Sequence, residues 1–141
     1  MSLNTVQLLN RLLAIHGGSL PMYLNSAPPH RQHGDDQAWE AIQHVIDDQK
    51  LMIEKVADYV ESLDGTPNMG EFPMGFSGLH DLSMDFILQK SIDRQKNEIA
   101  MIEQISADLE PGSQARALSQ ESLGAAKAHL QSMEESLSAA T

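Results

Sequence analysis

The chain has 141 residues, enough for one domain and too few for two ordinary ones. Lys and Arg number 9 against 20 Asp and Glu, and the net charge of −11 argues against nucleic acid and anionic membrane surfaces as partners. There is no cysteine, which excludes disulfides and thiolate chemistry, and no apolar run approaches the ~18 residues of a membrane span.

Four stretches of helical period are separated by three groups of breakers. The first helix is expected from about Asn4 to Ser26. Val6, Leu9, Leu13, His16, Leu20 and Tyr23 step by three and four and share one face. Gly17, Gly18 and Pro21 fall inside it, and Pro21 has no N–H to donate, so a kink is expected near the glycines. A proline loop from Ala27 to Gly34 follows. The second helix is expected to start at an Asp35-Asp36 cap and to stop at Asp64-Gly65, with Ile42, Val45, Gln49, Met52, Val56, Tyr59 and Leu63 inward.

Residues 65–78 carry four glycines and two prolines in fourteen positions and read as a connection. Gly65 to Ser77 could reach ~43 Å when extended, about the length of the second helix at ~1.5 Å per residue. A hairpin would need far less, so a crossover running the length of the bundle is expected. The third helix is then expected from about Leu79 to Leu109, with His80-Asp81 as its cap and Leu88, Ile92, Gln95, Ile99, Ile102 and Leu109 inward. Ser113 is expected to cap the fourth, whose inner face is Leu118, Ser122, Ala126, His129, Met133 and Leu137, and the last six residues are expected to fray. Met52, Met101 and Met133 read as core filler. No segment alternates like a strand. The fold expected is all-α: one four-helix bundle domain over residues 1–141 with a long crossover between its second and third helices.

Each expected helix places a less apolar residue near mid-length on its inner face: His16, Gln49, Gln95 and His129. Buried polar groups cost free energy unless they are paired. Two readings follow. The four form a hydrogen-bonded layer that fixes helix register, or they form a metal site inside the bundle. Outside this layer, His30-x-x-His33 in the proline loop and the Glu40/His44 pair on the second helix read first as solvated side chains.

The run Leu9-Asn10-Arg11-Leu12-Leu13-Ala14-Ile15-His16, with Tyr23 seven residues on, resembles the first helix of the bacterioferritin branch of the ferritin-like superfamily. There the pattern is Leu-Asn-x-Leu-Leu-x-x-Glu. The close of the second helix, Leu63-Asp64-Gly65-Thr66-Pro67-Asn68, is similar to that family's Leu-x-Gly-x-Pro-Asn turn. The resemblance implies a ferritin-like bundle and a di-iron centre built from a Glu on each of two helices and a Glu-x-x-His on each of the other two. Set against that pattern, His16 stands at the first-helix Glu. Gln49 and Met52 stand at the second-helix Glu-x-x-His. Gln95, or alternatively Asp93, stands at the third-helix Glu, and Ala126 and His129 at the fourth-helix Glu-x-x-His. No carboxylate remains to balance iron's charge if Gln95 is the match, and one remains if it is Asp93, so ferroxidase activity is not expected.

The expected function is thus a ferritin-like bundle protein that has lost its di-iron ligands and acts in binding or structure. The alternatives are a metal-binding protein with one iron or zinc ion on a His-based site at His16, Gln49, Gln95 and His129, or an iron oxidation and storage protein of the ferritin type. Residues 35–64 carry nine acids and two lysines, a solvated acidic face. No secretory signal is visible, so a cytoplasmic protein is expected. The expected partner is a second copy of the chain, in a homodimer or larger homo-oligomer, to which Trp39 and Tyr59 could contribute.

Overall fold

The structure, a computed structural model, describes residues 2–140 and is helical throughout, with no strand among the described residues. The first expected helix is two. Helix α1 spans Ser2–Gly17 and α2 spans Leu20–Ser26. The break falls at Gly18-Ser19, where the Ser19 side chain accepts from Met22 N at 3.2 Å and caps α2, with Pro21 in the first turn, where its missing N–H costs nothing. Helix α3 spans Asp36–Ser62, α4 spans Met84–Asp108 and α5 spans Gln114–Ala140. Ser113 caps α5 by accepting from Arg116 N at 3.1 Å, and α5 runs to Ala140; Thr141, the last of the six residues expected to fray, lies outside the described residues.

Three boundaries differ in their chemistry from expectation. Asp35 sits at the N-cap of α3, yet its carboxylate turns back to accept from Gln32 N at 2.8 Å and makes no cap bond. At the other end, Asp64 takes the left-handed conformation (φ 62°), which Asp tolerates better than most residues, while Gly65 provides room: a Cβ there would lie 2.8 Å from Val6. The third expected helix begins later. Leu79–Asp81 is a 3₁₀ turn, and Ser83 caps α4 by accepting from Phe86 N at 3.3 Å. The side chain of His80, expected to help cap this helix, lies outside the described residues.

The connection from α3 to α4 runs along α1. Asn10 donates from Nδ2 to Thr66 O at 3.1 Å and accepts from Asn68 N at 2.9 Å, so one side chain pins the start of the segment. Farther on, the backbone crosses the α1–α2 junction so closely that a Cβ on Gly17 would lie 2.7 Å from Met69 O and one on Gly18 2.9 Å from Glu71 O. The segment then passes Tyr23, whose ring meets Phe72 edge-on at 5.6 Å, and Phe76 is buried against the start of α4.

Two apolar clusters make up the core, and they fix the helix directions. One gathers Leu8 to Leu13 of α1 with Met52 to Val60 of α3, Ile99 to Leu109 leading out of α4, and Ala115 to Ala126 of α5. The other gathers Leu20 and Leu24 of α2 with Ala38 to Ile46, Phe76, Met84 to Ile92 and Met133. Helices α3 and α4 therefore run parallel, with α1–α2 and α5 antiparallel to both. Met52 and Met133 are core residues, as read from sequence, but Met101 is 48% exposed. It lies between the inward-facing Ile99 and Ile102 on the opposite side of α4, which the helical period had already specified.

Candidate functional site

On every rod of the bundle the two apolar clusters are separated by the same kind of interruption. The gap falls between Leu13 and Leu20, between Ile46 and Met52, between Ile92 and Ile99, and between Ala126 and Met133. His16, Gln49, Gln95 and His129 occupy those four gaps. His16, Gln49 and Gln95 are buried, and His129 retains 14% of its side-chain exposure. All four line one cavity of about 20 Å³, together with Asp48, Ser122 and Ala126. That is room for about one water molecule.

The polar atoms of the layer are largely spent on neighbours. His16 Nε2 and Ser122 Oγ are 2.5 Å apart. Ser19, through the same oxygen that caps α2, donates to Gln49 Oε1 at 2.6 Å. Gln95 Nε2 donates to Ala126 O at 3.1 Å, and His129 Nε2 meets Asp48 Oδ2 at 2.6 Å. Each pair bridges two different helices, or the α1–α2 junction and a helix. Nδ1 of His16 is buried without a partner. Desolvation lowers the His16 pKa to about 4, so the ring is neutral at physiological pH.

Sequence reasoning missed four contributors. Ser19 and Ser122 are serines on inward positions. Ser122 had been placed on the inner face of the last helix without a role, and Ser19 was hidden by its neighbouring glycines. Asp48 adjoins Gln49, half exposed at 52%, and reaches inward only through its tip. Glu98 lies one turn beyond Gln95, in the same gap on α4, and is buried. Burial raises its pKa to about 7, with the Arg94 guanidinium pulling the other way. Its position between Gln95 and Ile102 at helical spacing was the available signal. Asp93, the alternative to Gln95, is exposed and accepts from Gln89 at 3.0 Å, so Gln95 is the inward residue.

The donor set does not fit a pair of iron ions. Two ferrous ions bring four positive charges into a low-dielectric interior and ordinarily require about four carboxylates. The one carboxylate lining the cavity is Asp48, already bound to His129, and the cavity volume suits one small molecule. Among the described residues no three His, Cys, Asp or Glu side chains come together so as to hold a metal ion. The other sequence candidates are on the surface. Glu40 and His44 are 3.8 Å apart and largely exposed, and His30 and His33 are exposed in the proline loop. No described helix is long and apolar enough to cross a membrane. Compared with protein-family models, with curated proteins and with solved structures, the chain has no match.

Proposed function

We propose that this chain is a ferritin-like bundle in which a hydrogen-bonded layer with a single carboxylate, Asp48, stands where a di-iron centre would be, and that it acts as a non-catalytic binding or structural protein. The observation that carries the reading is the pairing of the layer: His16 with Ser122, Gln49 with Ser19, Gln95 with the Ala126 carbonyl and His129 with Asp48. Such pairs fix helix register and leave few atoms free for an ion. Two features support the ferritin-like part. The helix order, with α3 and α4 parallel and joined by a long segment, suits such a bundle. Asn10 of the Leu-Asn-x-Leu-Leu run also bonds to Thr66 and Asn68 of the Pro-Asn turn, so the two motifs behind the resemblance meet in space. The proposal includes a cytoplasmic homodimer or larger homo-oligomer, which light scattering on the purified protein tests.

A second reading keeps one zinc or iron ion on His16 and His129. It is favoured by the unpartnered Nδ1 of His16, on a residue that lines the same cavity as the His129–Asp48 pair. Aerobic addition of ferrous iron to protein purified without a His-tag, followed in the near ultraviolet, decides between them. The proposed function expects no saturable oxidation and well under one equivalent of iron or zinc retained after desalting. One tightly held equivalent, lost in His129→Ala, establishes the second reading. Rapid oxidation at two irons per chain would overturn both in favour of iron storage.

A further inference from the structure

A second concavity opens beside the proline loop. The proline loop and the first turns of α3 enclose an open groove of about 780 Å³, within the size range of ligand sites. On its wall the Arg31 guanidinium stands over the Trp39 ring, 5.0 Å from the centroid. Around it are the carboxylates of Asp36, Glu40 and Asp47. Among the described residues none of the three forms an ion pair with a Lys or Arg; the nearest partner is His44, 3.8 Å from Glu40. The groove thus has an aromatic face that already accepts a guanidinium from its own chain, and more negative charge than Arg31 balances.

These two features select the same ligand chemistry independently. An indole face attracts a planar cation, and the attraction grows when the cation is partly desolvated. Carboxylates at the rim take the N–H groups of a guanidinium in pairs, which a lysine ammonium cannot match. Arg31 is weakly held there, since apart from Trp39 its guanidinium makes only a long bond of 3.4 Å from Nη1 to Pro29 O. We propose that this groove is a docking site for an arginine-bearing peptide segment of a partner protein, with Arg31 as the internal group that such an arginine displaces from Trp39.

Trp39 is the single tryptophan of the chain, so its fluorescence reports the groove directly. The experiment titrates the full-length protein with an arginine-containing tripeptide amide and with its citrulline counterpart, which keeps the shape and loses the charge. The expected result is a saturable fluorescence change with the arginine peptide, weakened by salt, and none with citrulline. A double change, Glu40→Gln with Asp47→Asn, should weaken binding roughly tenfold, whereas Asp58→Asn with Glu61→Gln, of equal charge on the far part of α3, should leave it nearly unchanged. Arg31→Ala should bind more tightly. Calorimetry on Trp39→Leu, with folding checked by circular dichroism, should show binding lost. No saturable response, equal response to citrulline, or equal weakening by both charge pairs would overturn the proposal. In the last case the peptide senses only the overall acidity of the chain.

Discussion

His16 and Ser122, 106 positions apart in sequence, meet at 2.5 Å in the middle of the bundle and join the first helix to the last. The contact carries no formal charge, because burial keeps the imidazole neutral. It is one of three such uncharged contacts at that level, beside the contact of the Asp48 carboxylate with His129.

Gln95→Leu tests whether the layer is structural. The substitution removes one bond to a carbonyl and places an apolar group of similar volume in a buried site. Replacing a polar contact with a well-packed apolar one is close to neutral, so the change in unfolding free energy should be within ~1 kcal/mol. Urea denaturation measures it. A loss of several kcal/mol would show an obligate network or a bound ion.

Glu98 and His16 give stability opposite dependences on pH. Glu98 has a raised pKa in the folded chain, so the folded state binds more protons than the unfolded one between the ordinary carboxylate range and about 7. Its contribution is full at low pH and is lost as pH rises through about 7. His16 has a lowered pKa, so the unfolded state binds more protons between 6.5 and about 4, and stability is lost as pH falls through that range. The two effects oppose each other near pH 5 to 6. Glu98→Gln should therefore stabilise the protein at pH 8, on the order of 1–3 kcal/mol, and do little at pH 5. Thermal unfolding of both proteins at the two pH values checks this. In NMR, the His16 ring should remain neutral to about pH 4.

Asp48→Asn removes the charge from the His129 pair. Asp48 is 52% exposed, and solvent screens the interaction, so the loss of stability should not exceed ~1 kcal/mol at neutral pH. Urea denaturation of both proteins measures it. A loss of several kcal/mol would show that solvent does not screen the pair.

Gly17→Ala tests the seat of the crossover. The added Cβ would lie 2.7 Å from Met69 O and 2.9 Å from Met69 Cβ, too close without movement of the segment. Overpacking of this kind costs ~1–3 kcal/mol even though Ala is the better helix former. The control Gly124→Ala, on α5 where nothing lies within 4 Å of the new atom, should stabilise slightly.

The helical period and the breaker positions were legible in the sequence because each inner stripe alternates regularly with a polar face. That is why the inward residues from Leu9 to Leu137 were read in the right registers. The two glycines and Pro21 announced a break in the first helix, but not what occupies it. The close passage of Met69 and Glu71 over Gly17 and Gly18 is a long-range fit that local pattern cannot encode. Phe76 was missed for the same reason: one aromatic in a glycine-rich segment has no periodicity to place it. Of the candidate site, Gln49, Gln95, His16 and His129 were visible as exceptions on apolar stripes. Ser122 was placed inward but given no partner, and Ser19 and Asp48 were not visible, since a serine at a helix break or an aspartate on a helix is unremarkable until a second helix arrives.

The seam between the two apolar clusters bears on how the molecule opens. Each long helix belongs to one cluster over half its length and to the other over the rest, and the polar layer between them buries less apolar surface. The two ends are then expected to open as separate cooperative units. In native-state hydrogen exchange, amides within a single helix should divide into two protection classes, with the change falling near Gln49 on α3 and near Gln95 on α4. The end closed by Phe76 depends on the crossover staying seated, so it should exchange faster in Gly17→Ala while the other end keeps its protection. Uniform protection along each helix would show instead that the layer couples the two halves into one unit.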